Sequence, residues 1–139
     1  MSRYLQGSLF DQAEELGLTA LAAARRTVLG GGAWIDLLPG WLGGAGALFD
    51  HLAVRVPWRE ERWTIHERVV DVPRLLAFYE EGAALPHPVL AEARDALSAH
   101  YAAELREPFV TAGLCYYRDG RDSVAWHGTG RAGRRCRTR

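Results

Sequence analysis

Five histidines and two cysteines are the residues of this 139-residue chain best suited to metal or nucleophile chemistry. Imidazole nitrogen and thiolate sulfur hold zinc, and imidazole with a carboxylate holds non-haem iron. Cys115 and Cys136 have no companions at zinc-site spacing and make no disulfide framework. His51 and His100 fall in stretches of helical periodicity, where an imidazole ordinarily packs or faces solvent. His66 alternates within an extended segment, with no ligand-like neighbour. His87 stands between Pro86 and Pro88, in a loop from which it could touch a substrate. His127 differs from the others, because it ends an extended segment and Gly128 follows it.

Positioning these residues falls to the surrounding elements. A short helix is expected around Asp11–Leu16, broken by Gly17. Thr27–Leu29 and Ala33–Leu37 read as short strands separated by three glycines, and Pro39-Gly40 marks a turn. Ala45, Leu48, Phe49 and Leu52 share one face of a helix over Ala45–Val54, which Pro57 ends. Glu61–Val70 reads as a strand, and Arg74–Tyr79 as a second extended segment. Pro88–Leu105 carries the strongest helical spacing, through Leu90, Ala93, Leu97, Tyr101 and Leu105, and its proline suits the first turn. Phe109–Tyr117 and Ser123–His127 then read as two strands joined across Asp119-Gly120.

Charge is balanced overall but not along the chain. All 17 basic residues are Arg, with neither Lys nor Asn present. Residues 1–128 hold 12 Arg against 17 acids, whereas residues 129–139 hold five Arg and no acid. Lys and Asn have AT-rich codons, so the composition suggests GC-rich coding DNA, in which a shifted frame yields Arg, Gly and Ala. Residues 129–139 read that way and are expected to be disordered. No apolar run reaches the roughly 18 residues that cross a bilayer, and no export signal opens the chain, so a cytoplasmic protein with no membrane partner is expected.

The run Cys115–Gly128, with Tyr117 and His127, resembles the segment that leads into the His-x-Asp iron motif of AlkB-type dioxygenases. Leu38-Pro39-Gly40-Trp41-Leu42 is similar to that family's opening strand and turn. The helix around Phe49, then Val56-Pro57-Trp58 and Val72-Pro73-Arg74, follow in the family's order. The resemblance covers residues 27–128. It implies an α+β chain carrying the N-terminal part of a double-stranded β-helix, or jelly roll, with residues 1–26 an extension and 129–139 a basic tail.

The resemblance also implies chemistry. Such enzymes couple decarboxylation of 2-oxoglutarate at Fe(II) to hydroxylation of an alkyl group on a damaged DNA or RNA base, flipped out of its stack to reach the metal. His127 matches the first iron ligand and Tyr117 a residue that helps hold 2-oxoglutarate. Cys115 stands where many members have Asn, and Thr129 where they have the Asp ligand. Arg74 and Tyr79 fall near positions that approach the lesion strand; a surface Arg and a half-buried strand aromatic are the alternative. The second His ligand and the Arg for the 2-oxoglutarate carboxylate belong to later strands. The expectation is therefore a dioxygenase sequence cut short after Gly128, as by a frameshift, and without turnover. A cofactor site needs Tyr117 and His127 on one face, which requires an odd-length loop such as Arg118–Asp122 rather than a strict two-residue turn. From a different class, the arginine-rich tail could grip nucleic-acid phosphates without catalysis.

Overall fold

Glycine and proline punctuation sets the order of the elements. The computed structural model describes residues 15–65 and 67–124. In chain order these form β1 (Gly17–Leu18), a 3-10 turn (Leu21–Ala23), β2 (Arg25–Gly30), β3 (Ala33–Leu37), β4 (Leu42–Gly43) and α1 (Ala45–Arg55). Next come β5 (Arg62–Ile65), β6 (Arg68–Asp71), β7 (Leu75–Tyr79), α2 (Pro88–His100), α3 (Ala102–Leu105) and β8 (Ala112–Tyr116). The chain is thus α+β, and its strands pair two by two: β1 with β4, β2 with β3, β5 with β6, and β7 with β8. Contacts gather it into two units. The first comprises the residues up to Pro57 together with Ala77–Leu114, and the second Trp58–Leu76 together with the residues from Cys115.

In the first unit, Gly30, Gly31 and Gly32 take φ of 96°, 59° and 82°, which side chains disfavour, and so turn β2 back on β3. The antiparallel register sets Arg26 opposite Asp36 and Val28 opposite Trp34, with an irregularity between Val28 and Gly30. α1 starts at Gly44 (φ 67°) and buries Leu48, while Val56 at its C-terminal end is also buried. His87 caps α2, its Nδ1 accepting the Val89 N–H at 3.1 Å, and Pro88 fills the first turn, where no N–H is needed. Val89 is buried, and α2 packs on β1 and the 3-10 turn.

The single helix expected over Pro88–Leu105 is in fact two. Tyr101 leaves helical geometry at φ −97°, ψ 8°, and Arg106 (φ 61°) ends the short α3. The break coincides with the Tyr101 hydroxyl donating to Asp36 at 2.8 Å, a long-range bond that helical periodicity does not encode.

In the second unit, the strand expected over Glu61–Val70 is a hairpin. β5 and β6 pair Arg62 with Asp71 through Ile65 with Arg68, and Glu67 turns at φ 64°. Val72 is buried, and its N–H donates to the Glu61 carbonyl at 2.8 Å. Arg59 and Leu76 exchange two backbone bonds of 2.9 Å. The expected strand Ser123–His127 does not begin at Ser123, whose N–H instead donates to the Pro73 carbonyl at 2.8 Å. Residues 125–127 lie outside the described residues, as does most of the expected helix Asp11–Leu16, of which Glu15 and Leu16 are not helical.

Among the described residues only Leu48, Val56, Val72 and Val89 are buried apolar side chains. Val28 (74%), Val69 (68%) and Phe78 (63%) stay exposed on their strands, so these small sheets are covered on few faces.

Candidate functional site

The second unit carries three of the elements singled out for chemistry: Arg74, Tyr117 and the loop after it. Tyr117 follows β8 directly and is 44% exposed, so its ring is open to solvent. The next five residues close on themselves. Asp122 accepts the Arg118 backbone N–H (2.9 Å), Nε (2.7 Å) and Nη2 (2.9 Å), and its own N–H donates to the Asp119 carbonyl at 3.1 Å. Charge-assisted bonds of this kind are the stronger ones, and they hold the Asp122 carboxyl below the usual carboxylate range. Bonds from the Arg121 side chain and backbone similarly hold Asp119 at about 2. Arg118 also reaches Glu60 at 3.3 Å.

Arg74 faces this loop rather than solvent. Its Nη1 donates to the Ser123 carbonyl at 3.1 Å, while its buried Nε has no hydrogen-bond partner among the described residues. Together with the bond to the Pro73 carbonyl, this fastens Ser123 to residues 73–74 by two bonds. A guanidinium committed in this way works as a tie for the loop. In the same unit, the Trp58 and Tyr116 rings meet at 5.3 Å, tilted by 39°. Tyr79 belongs to the first unit, half-buried in β7. His127 and Thr129 lie outside the described residues, so the facing of Tyr117 and His127 does too. Cys115 is exposed, as a free thiol.

His51 and His87, whose rings meet in the first unit, do not make a metal site. His51 Nε2 lies 3.0 Å from the Pro86 carbonyl and so carries the proton of that bond, leaving Nδ1 as its free nitrogen. The His87 ring is 5.0 Å away, edge-on, but its Nδ1 lone pair is spent on the Val89 N–H. In the neutral ring the proton then sits on Nε2, which leaves no lone pair for a metal. Among the described residues no three His, Cys, Asp or Glu side chains converge to hold an ion.

Sequence reasoning missed a second bonded polar cluster, in the first unit. Arg26 donates to both Asp36 oxygens, Nε to Oδ1 at 2.8 Å and Nη2 to Oδ2 at 2.7 Å, and Nη1 reaches Glu104 at 2.8 Å. The guanidinium lies 3.8 Å over the Trp34 ring, itself stacked on Tyr101 at 5.6 Å. Arg26 hydrogen bonding draws the Asp36 carboxyl down to about 2, while burial pushes the Tyr101 hydroxyl up. Every nitrogen of Arg26 and both oxygens of Asp36 are taken, so the cluster fastens the hairpin to α2 and α3 and offers no free acid or base. Counting outward from the glycine turn would have paired Arg26 with Asp36; nothing local points to Tyr101 or Glu104.

No protein-family model matches the chain, and no curated protein does. Among the described residues no helix is long and apolar enough to cross a membrane.

Proposed function

We propose that this chain carries part of an AlkB-type dioxygenase domain of jelly-roll architecture. Its family's reaction is the oxidative dealkylation of alkylated bases in DNA or RNA, with Fe(II) and 2-oxoglutarate. The observation that carries the reading is the ordered run of motifs from Leu38-Pro39-Gly40-Trp41-Leu42 to Tyr117–Gly128. It is supported by the helix that follows the first motif over Ala45–Arg55, and by Tyr117 standing open at the end of β8, able to offer its hydroxyl to a carboxylate. The exposed apolar strand residues also suit sheets meant to be covered by further strands.

When bound, iron would supply the oxidising chemistry, but the donor set does not fit a complete centre. His127 alone matches a ligand of the family, and a neutral Thr129 stands where the anionic donor belongs. These residues alone would not hold iron firmly enough for turnover. Under the same proposal Arg74 and Tyr79 approach the nucleic acid, although the Arg74 bond to Ser123 must then open or be shared.

The test uses the whole chain with Fe(II), 2-oxoglutarate and a methylated oligonucleotide. Succinate should not rise above background; robust production would overturn the assignment of no turnover. Weak Co(II) binding, followed optically, should vanish in His127→Ala and persist in His51→Ala. Equal loss in both variants, or in neither, would count against the family reading.

A further inference from the structure

Outside the loop around Tyr117 and the proposed iron chemistry, the first unit contains a cavity of about 270 Å³ between α2 and the segment Phe109–Leu114. Leu85, Leu90, Leu97 and Phe109 give it apolar walls, and Glu80 and Arg94 are the two charged residues of its lining. We propose that it binds a small organic cation: an apolar body, aromatic or branched, carrying one ammonium group.

Size and rigidity support a ligand. An apolar cavity of about 150 Å³ accommodates benzene, and ligand pockets begin near 300 Å³, so this one fits a ring with a short chain. One wall is pinned in place. Ser98 Oγ donates to the Arg94 carbonyl at 2.7 Å and accepts the Phe109 N–H at 3.0 Å, fastening the extended segment to α2. Behind it Gly113 lies close to Phe78, whose Cδ2 would sit 3.7 Å from an added Cβ.

Charge selects the sign. Arg94 is drawn to its neighbour Asp95, with Nε 2.9 Å and Nη2 2.8 Å from the same carboxylate oxygen. Glu80 has no ion pair among the described residues; its carbonyl accepts the Ala83 N–H at 3.0 Å, which fixes the turn that carries it. The uncompensated charge at the lining is thus negative. An ammonium gains an electrostatic contact there once its body has displaced water from the leucines, whereas a carboxylate meets an Arg94 whose charge Asp95 already offsets.

Phenylpropylamine and phenylpropionate, equal in body and opposite in charge, are the probes, each titrated into the full chain to about 10 mM. Methyl resonances of Leu90, Leu97 and Leu114 should shift saturably with the amine, and the acid should bind about three- to fivefold more weakly, the range of one exposed charge contact. Glu80→Gln should erase that preference, and Ala93→Leu, which fills the cavity, should abolish both titrations while leaving the Trp34 resonances in place. Absence of saturation with both probes, an acid bound as tightly as the amine, or a preference surviving Glu80→Gln would each overturn the proposal. Ala93→Leu with both titrations intact would place the probes elsewhere and do the same.

Discussion

Leu48 is the residue on which the first unit's packing can be tested most directly, because α1 also carries its own control. Leu48 is 5% exposed and Val54, on the same helix, is 82% exposed. Leu48→Ala removes three carbon groups from the interior, about 2.4 kcal/mol at ~0.8 kcal/mol for each. The cavity left behind adds to that, and rigid cores reach about 5 kcal/mol for the same change. Here Leu48 is one of only four buried apolar residues among those described, so its surroundings can settle inward. A total of about 2.5–3 kcal/mol is expected. Val54→Ala removes carbons already in water and gains a little helix propensity, so it should stay within about 0.5 kcal/mol of the parent. Urea unfolding followed by far-UV circular dichroism measures both, at a common slope. Against a typical total of about 5–15 kcal/mol, the loss at Leu48 should be plain in the midpoint. A cost below about 1 kcal/mol at Leu48, or one at Val54 to match it, would refute the packing described. A parent without a cooperative transition would refute it at the root.

Three further outcomes can be checked. The Asp36 carboxyl should titrate at about 2 rather than the usual 3.8, and move up in Arg26→Gln, as read by carbon-detected NMR. Because its folded value is depressed, the stability it contributes is present above pH 3.8 and drains away as pH falls through about 2; an Asp36 titrating normally would remove the basis for this acid sensitivity. His87→Ala should cost about 1 kcal/mol through the lost cap, and His87→Asn should recover most of it; equal losses would show that the ring is held for another reason. Arg74→Ala should loosen Ser123, seen as faster exchange of the Ser123 amide, whereas unchanged exchange would mean that Arg74 does not hold the loop.

Periodicity made the helices legible and left their ends to partners far along the chain. Ala45, Leu48 and Leu52 located α1 to within a residue, and Pro88 located the start of α2. The break at Tyr101 was invisible because its partner, Asp36, is 65 residues away. The β5–β6 hairpin was missed for the opposite reason: its turn uses Glu67 at positive φ, where sequence rules look for Gly or Asn. The longer loop Arg118–Asp122 was expected because a cofactor site would need Tyr117 and His127 on one face; the bonds to Asp122 close a turn over that span, while the facing itself lies outside the described residues. Arg74 was named because it falls near positions that approach the lesion strand in the family it resembles; its bond to the Ser123 carbonyl was not legible, because a side chain's commitment depends on which carbonyl comes within its range.

The two-unit division has a consequence for how the chain is made. Each unit is assembled from stretches separated in sequence: the first needs Ala77–Leu114 to complete what begins before Pro57, and the second needs the residues from Cys115 to join Trp58–Leu76. A chain emerging from a ribosome at about 5–20 residues per second therefore carries β2–β3 for several seconds before α3 arrives to receive Arg26. The β5–β6 hairpin waits likewise for the loop that bonds Glu60 through Arg118. During that interval strand edges lack their partners, and slowing translation before residue 102 should prolong it. Synthesis rate, and not only final stability, should then influence how much of this polypeptide reaches its folded state.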